Sequence, residues 1–447
     1  MSKVDLDYSL DDKYLLDEGR VFLSGTQALV KLPLIQKKID ELNNLNTAGF
    51  ISGYPGSPLG GYDHALHQAS NFLKDKQIVF QPGINEDLAA TALHGTQQTT
   101  LVDNPKHDGV FGIWFGKGPG VDRSGDALKH GNYAGSSKHG GVLALAGDDH
   151  AAKSSTTAHQ SDHAFIHFGM PILNPATVQD YIDFGLMGIA MSRYSGCWIG
   201  MKCITDTVES AASVDIGLKR FKPVLPDISD EEGDLHLQWG YMPAMSESRL
   251  YKQRLPAAQA FARANSIDRV IFQGQKKLAI VTSGKAYLDV RQSLDELGLS
   301  EKLCSKIGIS LYKVGMVWPL EPKNISNFVN GNEEVLVVEE KRPIVEDQLM
   351  KYLYNEKDRP LIIGKKDEFG NDLVPSEGEL SPSQIALIIA KRIKGLSLNI
   401  ELESKVEEIE TLLANINSAP VSDLFRLPSF CAGCPHNTST KVPDDSF

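Results

Sequence analysis

GYPGSPLGGYDHALHQASNFLKDKQIVFQPGINEDLAATALHG, residues Gly53 to Gly95, holds the turns on which the fold depends. An apolar lead-in, Phe50 and Ile51, runs into a Gly/Pro turn, so the text reads as a buried strand ending in a loop that opens a helix near Tyr62. A second short strand, Ile78 to Gln81, meets Gly83, and Asn85 can cap a helix carrying Leu88, Ala89, Ala92 and Leu93 on one face. Ser57 and Glu86 then stand at strand-to-helix junctions. In parallel α/β sheets ligands bind at those carboxyl ends.

Working outward, Thr47 to about Asp215 alternates apolar runs of strand length with helical stretches. Val110 to Phe115 and Val142 to Ala146 are strand candidates, and Thr177 to Arg193 is a helix ahead of a strand at Cys197 to Ile204. The fold class is α/β with a mainly parallel sheet. Residues 1–46 form a lead-in with a helical pattern in Gln27 to Leu42, and 216–265 lose the rhythm around Pro223, Pro226 and the acidic knot Asp227 to Asp234, reading as a linker or covering excursion. The rhythm returns over 266–366, with strands at Leu278 to Thr282, Ile307 to Val314, Glu334 to Glu340 and Pro360 to Ile363 and helices at Tyr287 to Leu297 and Ile344 to Tyr354, a second, smaller α/β domain. Residues 367–430 are a helical linker, with patterns at Ser383 to Ile393 and Leu402 to Leu413, and 431–447 a short terminal piece.

Bulk properties narrow the function classes. A chain of 447 residues suits roughly three domains at about 150 residues each. The net charge of −12 argues against nucleic acid or an anionic membrane as partner. The first ten residues, MSKVDLDYSL, are polar and acidic, and no apolar run reaches the roughly 18 residues of a membrane span, so a cytoplasmic location is the default. Cys197, Cys203, Cys304, Cys431 and Cys434 are an odd, sparse set, unlike a secreted disulfide framework.

Two polar junctions follow strands. Gly116 to Gly135, GKGPGVDRSGDALKHGNYAG, lacks the GxGxxG spacing, and Pro119 removes a backbone donor that an anion nest would use. The plain expectation is a close-packed loop with left-handed glycines, set against a polar cargo of Asp122, Arg123, Asp126, Lys129 and His130. Gly147 to Ser155, GDDHAAKSS, invites a magnesium-diphosphate reading, but the asparagine such a motif needs downstream is absent; the paired carboxylates are expected to cap a helix or face solvent. His150, His159, His163 and His167 match no common zinc spacing; scattered loop histidines are commonly surface or substrate-contact residues, and structural or substrate-shaping roles are the expectation for this junction. Glu86 has two readings. A carboxylate at a helix start is a favourable dipole partner, and a desolvated one can share a proton with a ligand nitrogen.

GYPGSP, INE at the next helix start, GKGPGVDRSGDALKHGN, GDDHAAKSS and a terminal CAGCPHN together resemble the 2-oxoacid:ferredoxin oxidoreductases, closest to the long fused bacterial indolepyruvate type. The resemblance spans essentially the whole chain. It implies that residues 47–215 form the pyrimidine-binding domain for thiamine diphosphate. Glu86 then hydrogen-bonds the aminopyrimidine ring and helps generate the nucleophilic carbanion. Tyr54 and Pro55 become cofactor contacts and Arg123 a substrate contact. Ser57 stands where related pyruvate enzymes carry a substrate-touching threonine, a departure that keeps the hydroxyl. Residues 266–366 are similar to a transketolase C-terminal-like domain, a packing unit to which no catalytic residue is transferred.

A lone C-x2-C is compatible with half a zinc site, a redox dithiol or idle thiols. The resemblance implies that Cys431 and Cys434 are ligands of a [4Fe–4S] cluster, which needs four thiolates. Cys197, Cys203 and Cys304 are better read as small buried hydrophobes. Few residues follow Cys434, so the chain is expected to be the N-terminal part of a longer enzyme. The remaining part would supply the Mg2+-diphosphate site and the other cluster ligands, and the tail after Leu427 should be poorly ordered without it. The implied activity is oxidative decarboxylation of an aryl 2-oxoacid, indolepyruvate, with coenzyme A and ferredoxin as partners, in a homodimer. Two alternatives stay open: a catalytically silent fragment, and the same chemistry on a branched-chain 2-oxoacid or pyruvate.

Overall fold

The computed structural model describes residues 9–153, 155, 157–227, 235–238, 243–418, 436–443 and 446. In chain order the strands among them are β1 (Arg20–Ser24), β2 (Thr47–Gly53), β3 (Ile78–Phe80), β4 (Gly109–Lys117), β5 (Val142–Asp148), β6 (Ile172–Leu173) and β7 (Ile199–Ile204). They continue with β8 (Ala211–Asp215), β9 (Arg269–Phe272), β10 (Leu278–Ser283), β11 (Ile309–Val314), β12 (Met316–Trp318), β13 (Glu334–Val338) and β14 (Leu361–Ile363).

Seven strands form the first sheet in the order β12-β6-β7-β5-β4-β2-β3, all parallel except the antiparallel edge pair of β12 and β6. Every residue of β5 and β7, and all but the last of β4, is buried, as expected of strands covered by helices on both faces. On one face Ile51, Ile113, Phe115, Leu143 and Leu145 pack with Leu29, Leu32 and Ile35 of helix Gly25–Leu42 and Tyr181 and Ile182 of helix Val178–Ser195. On the other, Trp114, Val142 and Ala144 meet Ala89, Ala90 and Leu93 of helix Glu86–Gln97. Each fully buried aliphatic or aromatic side chain here contributes about 1.5–3 kcal/mol.

The second sheet runs β14-β13-β10-β11-β9, parallel apart from β9. Helices Gly284–Glu296 and Pro382–Gly395 cover one side through Val290, Leu294, Ile385 and Ile389. The other side, with Ala279, Val281, Tyr312 and Val335, joins the same core cluster as Trp114 and Leu93, so the two sheets share apolar contacts. Polar ties cross between them as well. Lys313 on β11 pairs with Asp180 at 2.6 Å, and His150 with Glu340 at 2.6 Å, in each case with both side chains nearly solvent-free. β12 lies within 266–366 by sequence yet extends the first sheet.

Two local expectations are corrected, and the excursion at 216–265 gains its detail. Gly116 to Gly135 is not a loop: after β4 it forms helices Gly118–Arg123 and Gly125–Ala134, and only Gly135 has a positive φ. Alternating glycines let the backbone coil tightly against neighbours on both sides, which a side chain would block. Asp148 and Asp149 neither face solvent nor cap a standard helix; they are 0% and 2% exposed. The stretch 216–265 contains helix Leu255–Ala264, which buries Ala258, Phe261 and Ala262 in the first core, and a fully buried Arg254 that donates to carbonyls of Asn132, Tyr133, Ala134 and Leu235. The motif Cys431/Cys434 and most of the tail after Leu427 lie outside the described residues.

Candidate active site

The parallel strands deliver four junctions to one edge of the first sheet. β2 ends at Gly53, and its extension is stitched on both sides: Tyr54 N–H donates to the Phe115 carbonyl at 3.1 Å and Gly83 N–H to the Gly53 carbonyl at 2.9 Å. Tyr54 and Pro55 are exposed, and Ser57, followed by a cis bond to Pro58, is half-buried. The 54–58 turn lies across the ends of β4 and β5. A Cβ at Gly56 would meet Lys117 Cδ at 2.8 Å, and one at Gly147 would meet Pro58 Cδ at 3.1 Å.

Helix Glu86–Gln97 begins where the sequence places it. Asn85, in extended conformation, accepts the Leu88 N–H on its side chain at 2.8 Å, the N-cap bond that satisfies one of the orphan donors of the first turn. Trp114 Nε1 donates to the Glu86 carbonyl at 2.9 Å, fixing the helix start to the centre of β4. The Glu86 side chain is only 8% exposed and rests on the glycine-rich turn: a Cβ at Gly120 would stand 2.7 Å from its Cγ and Oε1, and one at Gly116 3.3 Å from its Cγ. Among the described residues its carboxyl makes no hydrogen bond or ion pair. A buried carboxylate of this kind requires a partner from elsewhere. Arg123 closes helix Gly118–Arg123, exposed, and it has no ion pair among the described residues.

The next junction is built from buried charged groups. Asp148 at the end of β5 accepts from Ser161 N–H at 2.8 Å and Ser161 Oγ at 2.6 Å, with His159 Nδ1 at 3.4 Å and Lys202 Nζ at 3.9 Å. Burial alone would push its carboxyl up, but the His159 hydrogen bond and the Lys202 and His150 charges hold it well below the usual carboxylate range. On its other side His159 Nε2 lies 2.9 Å from Asp122 Oδ2. Burial disfavours the imidazolium, yet the Asp148 and Asp122 bonds raise its pKa to about 8. Lys202 in turn pairs with buried Asp162 at 2.7 Å. His150 and His159 are therefore internal ties and not surface groups. No spacing signal could have found them, because the Asp122 and Glu340 partners lie 37 and 190 residues away.

No group of three His, Cys, Asp or Glu among the described residues is arranged to hold an ion. Asp148, the one carboxylate of the Gly-Asp-Asp turn at a strand end, is already committed. Cys197, Cys203 and Cys304 are buried thiols, and burial pushes Cys197 up to about 11, Cys304 to about 12 and Cys203 well above its ordinary value. Two larger hollows lie away from the strand ends: about 610 Å3 beside Asp40, Arg193 and Phe221, and about 680 Å3 between helices Pro382–Gly395 and Glu403–Ser418. Glu86 lines neither.

Residues 268–420 match the family described as indolepyruvate oxidoreductase domain. The indolepyruvate oxidoreductase subunit IorA of Methanothermobacter marburgensis is 24% identical over 435 residues, 96% of this chain and 61% of that protein. IorA of Pyrococcus abyssi is 24% identical over 428 residues, 94% of this chain and 58% of that protein. The chain thus spans about three-fifths of the length of these relatives. A 2-oxoglutarate:ferredoxin oxidoreductase from Magnetococcus marinus, solved with 2-oxoglutarate, coenzyme A and succinyl-CoA bound, superposes with a TM-score of 0.59 at 13% identity, covering 84% of this chain and 66% of that one, which speaks for the fold alone. Nearly the whole of this chain is thus similar to the larger part of the IorA subunits, and it shares the α/β architecture of the solved 2-oxoglutarate enzyme.

Proposed function

We propose that this chain contributes the pyrimidine-binding half of a thiamine diphosphate site, with Glu86 as the carboxyl that faces the aminopyrimidine ring. The observation that carries the reading is the buried Glu86 carboxyl, seated on Gly120 at a strand-to-helix junction and left unpaired by the described residues. Held there away from bulk water, Oε1 can hydrogen-bond a ring nitrogen without competition from solvent. When bound, thiamine diphosphate supplies the nucleophilic carbon that adds to a 2-oxoacid carbonyl. Tyr54 and Pro55 would line the ring's approach, Ser57 would offer a hydroxyl to the substrate, and the exposed Arg123 guanidinium would meet its carboxylate.

On this reading residues 47–215 are the pyrimidine-binding domain, and 266–366 are a transketolase C-terminal-like packing domain. The reaction is oxidative decarboxylation of an aryl 2-oxoacid, indolepyruvate, in the cytoplasm, with the acyl group passing to coenzyme A and electrons leaving to ferredoxin. Diphosphate, Mg2+ and the other cluster ligands would come from protein outside this chain. Cys431 and Cys434 would supply two of the four thiolates of a [4Fe–4S] cluster. The relatives' names and the family match to residues 268–420 support the substrate class.

The test is Glu86→Gln in the complete enzyme, followed by calorimetric titration of thiamine diphosphate with Mg2+ and by 2-oxoacid turnover. Turnover should fall by about 10²–10⁴ with the melting temperature preserved, the usual weight of a positioned acid–base group. Wild-type turnover and cofactor affinity in the variant would remove Glu86 from the site.

A further inference from the structure

The turn Gly118–Pro119–Gly120 lies between two ionisable side chains. On one side a Cβ at Gly118 would fall 2.1 Å from Cγ and Nδ1 of His159; on the other, a Cβ at Gly120 would fall 2.7 Å from Glu86 Oε1. His159 is anchored at both ring nitrogens, to Asp148 on β5 and to Asp122 two residues beyond Gly120. We propose that His159 is a positioning residue for Glu86, setting where the glycine turn sits and so where the Glu86 carboxyl is held. The inference rests on the assignment of Glu86 to the cofactor ring.

The anchoring is directional. Asp148 is rigid, being fully buried and bonded to Ser161 N–H and Oγ, with Lys202 and, behind that, Asp162 balancing its charge. His159 transmits that fixed point to Asp122, whose side chain is 61% exposed and belongs to the same short helix as Gly120. Ser161 Oγ, 3.4 Å from Nδ1, completes the set of polar groups facing the ring. With an imidazolium between them, the two carboxylates are pulled together and the helical turn carrying Gly118 and Gly120 is fixed in place beneath Glu86. With a neutral ring, only one nitrogen can donate, and one of the two ties is lost. His159 touches neither substrate nor cofactor in this account; it acts through Gly118 and Gly120.

The experiment uses the complete enzyme, with thiamine diphosphate and Mg2+ as the probe. Affinity is measured by calorimetry and the environment of the pyrimidine by circular dichroism, each across pH, beside turnover and thermal melts. His159→Gln should weaken binding and turnover by roughly tenfold to a hundredfold, the scale of a misplacement of about 1 Å, and abolish a pH limb that the wild type shows near the His159 pKa of about 8. Asp122→Asn, at an exposed position where folding is not at risk, keeps the hydrogen-bonding shape but removes one charge, and should move that limb to lower pH. A limb with the same midpoint in wild type, Asp122→Asn and His159→Gln, alongside a defective Glu86→Gln, would overturn the role of His159 alone. A Glu86→Gln enzyme with wild-type binding and turnover would overturn the underlying assignment and this inference with it.

Discussion

Gly120 and Glu86 share one space: a methyl on Gly120 would lie 2.7 Å from Oε1 of Glu86, closer than real Cβ atoms approach an oxygen. Something must move, and the cheapest mover is the end of the Glu86 side chain. Gly120→Ala should therefore fold, since no backbone atom is among its nearest obstacles, while displacing the carboxyl. A loss of about a hundredfold in 2-oxoacid turnover is expected at nearly unchanged melting temperature. A variant that melts many degrees lower would instead assign Gly120 to the core, and one with full activity would separate the turn from the site.

The same turn gives a stability prediction through His159. Its folded pKa, about 8, stands above the ordinary 6.5, so the ion pairs contribute fully below about pH 6.5, and the contribution is lost as pH rises through about 8. The span corresponds to at most about 2 kcal/mol for this largely buried ring. Urea midpoints of wild type and His159→Gln should thus converge between about pH 6 and pH 9. Parallel curves over that range would show that the imidazolium is not favoured in the folded chain.

Asp268 makes the fold lose stability in the same direction, as pH rises, but through desolvation of a carboxylate rather than through an ion pair. Buried and accepting from Gly315 and Met316 N–H at 2.8 and 3.0 Å, its carboxyl is pushed up to about 7, chiefly by desolvation. The unfolded chain ionises it near 3.8, so a cost to folding grows from there and is complete above about 7. Asp268→Asn keeps an acceptor for both N–H groups and removes the charge. The variant should gain about 2–3 kcal/mol relative to wild type on going from about pH 5 to pH 8, read from urea unfolding. Equal differences at the two pH values would mean that Asp268 stays ionised at its site.

Much of this architecture was legible because it is local. The Asn85 cap, the apolar runs of β4 and β5 and the strand-to-helix turns at Ser57 and Glu86 are written in neighbouring residues, and periodicity and turn chemistry read them directly. The glycine-rich segment was read as a loop because glycine disfavours helix by propensity. Here tertiary contact overrides propensity: Gly118 and Gly120 coil tightly because His159 and Glu86 occupy their missing side-chain space. The buried ties His159–Asp122, His150–Glu340 and Lys313–Asp180 were invisible, since each joins residues that only the folded sheets bring together. β12 crossing to the first sheet was hidden for the same reason.

Asp40 is the clearest case of a distant tie that the strand ends depend on. From helix Gly25–Leu42 it accepts both terminal nitrogens of Arg193, at 2.6 and 2.8 Å, together with Thr47 Oγ1 at 2.6 Å and Gln36 Nε2 at 2.9 Å. Arg193 Nε donates to the Gly140 carbonyl at 2.9 Å, so one buried carboxylate fixes the start of β2 and, through Arg193, the approach to β5. Its side chain is 2% exposed and that of Arg193 15%, so deleting either leaves a poorly solvated charge without its partner. Asp40→Ala should cost about 3–5 kcal/mol by urea unfolding. Adding Arg193→Met to it should cost less than the sum of the two single changes, with a coupling of about 1–3 kcal/mol, because the double variant no longer strands a charge. Strict additivity would show that the pair is solvated in solution and that β2 is held in register by its strand neighbours alone.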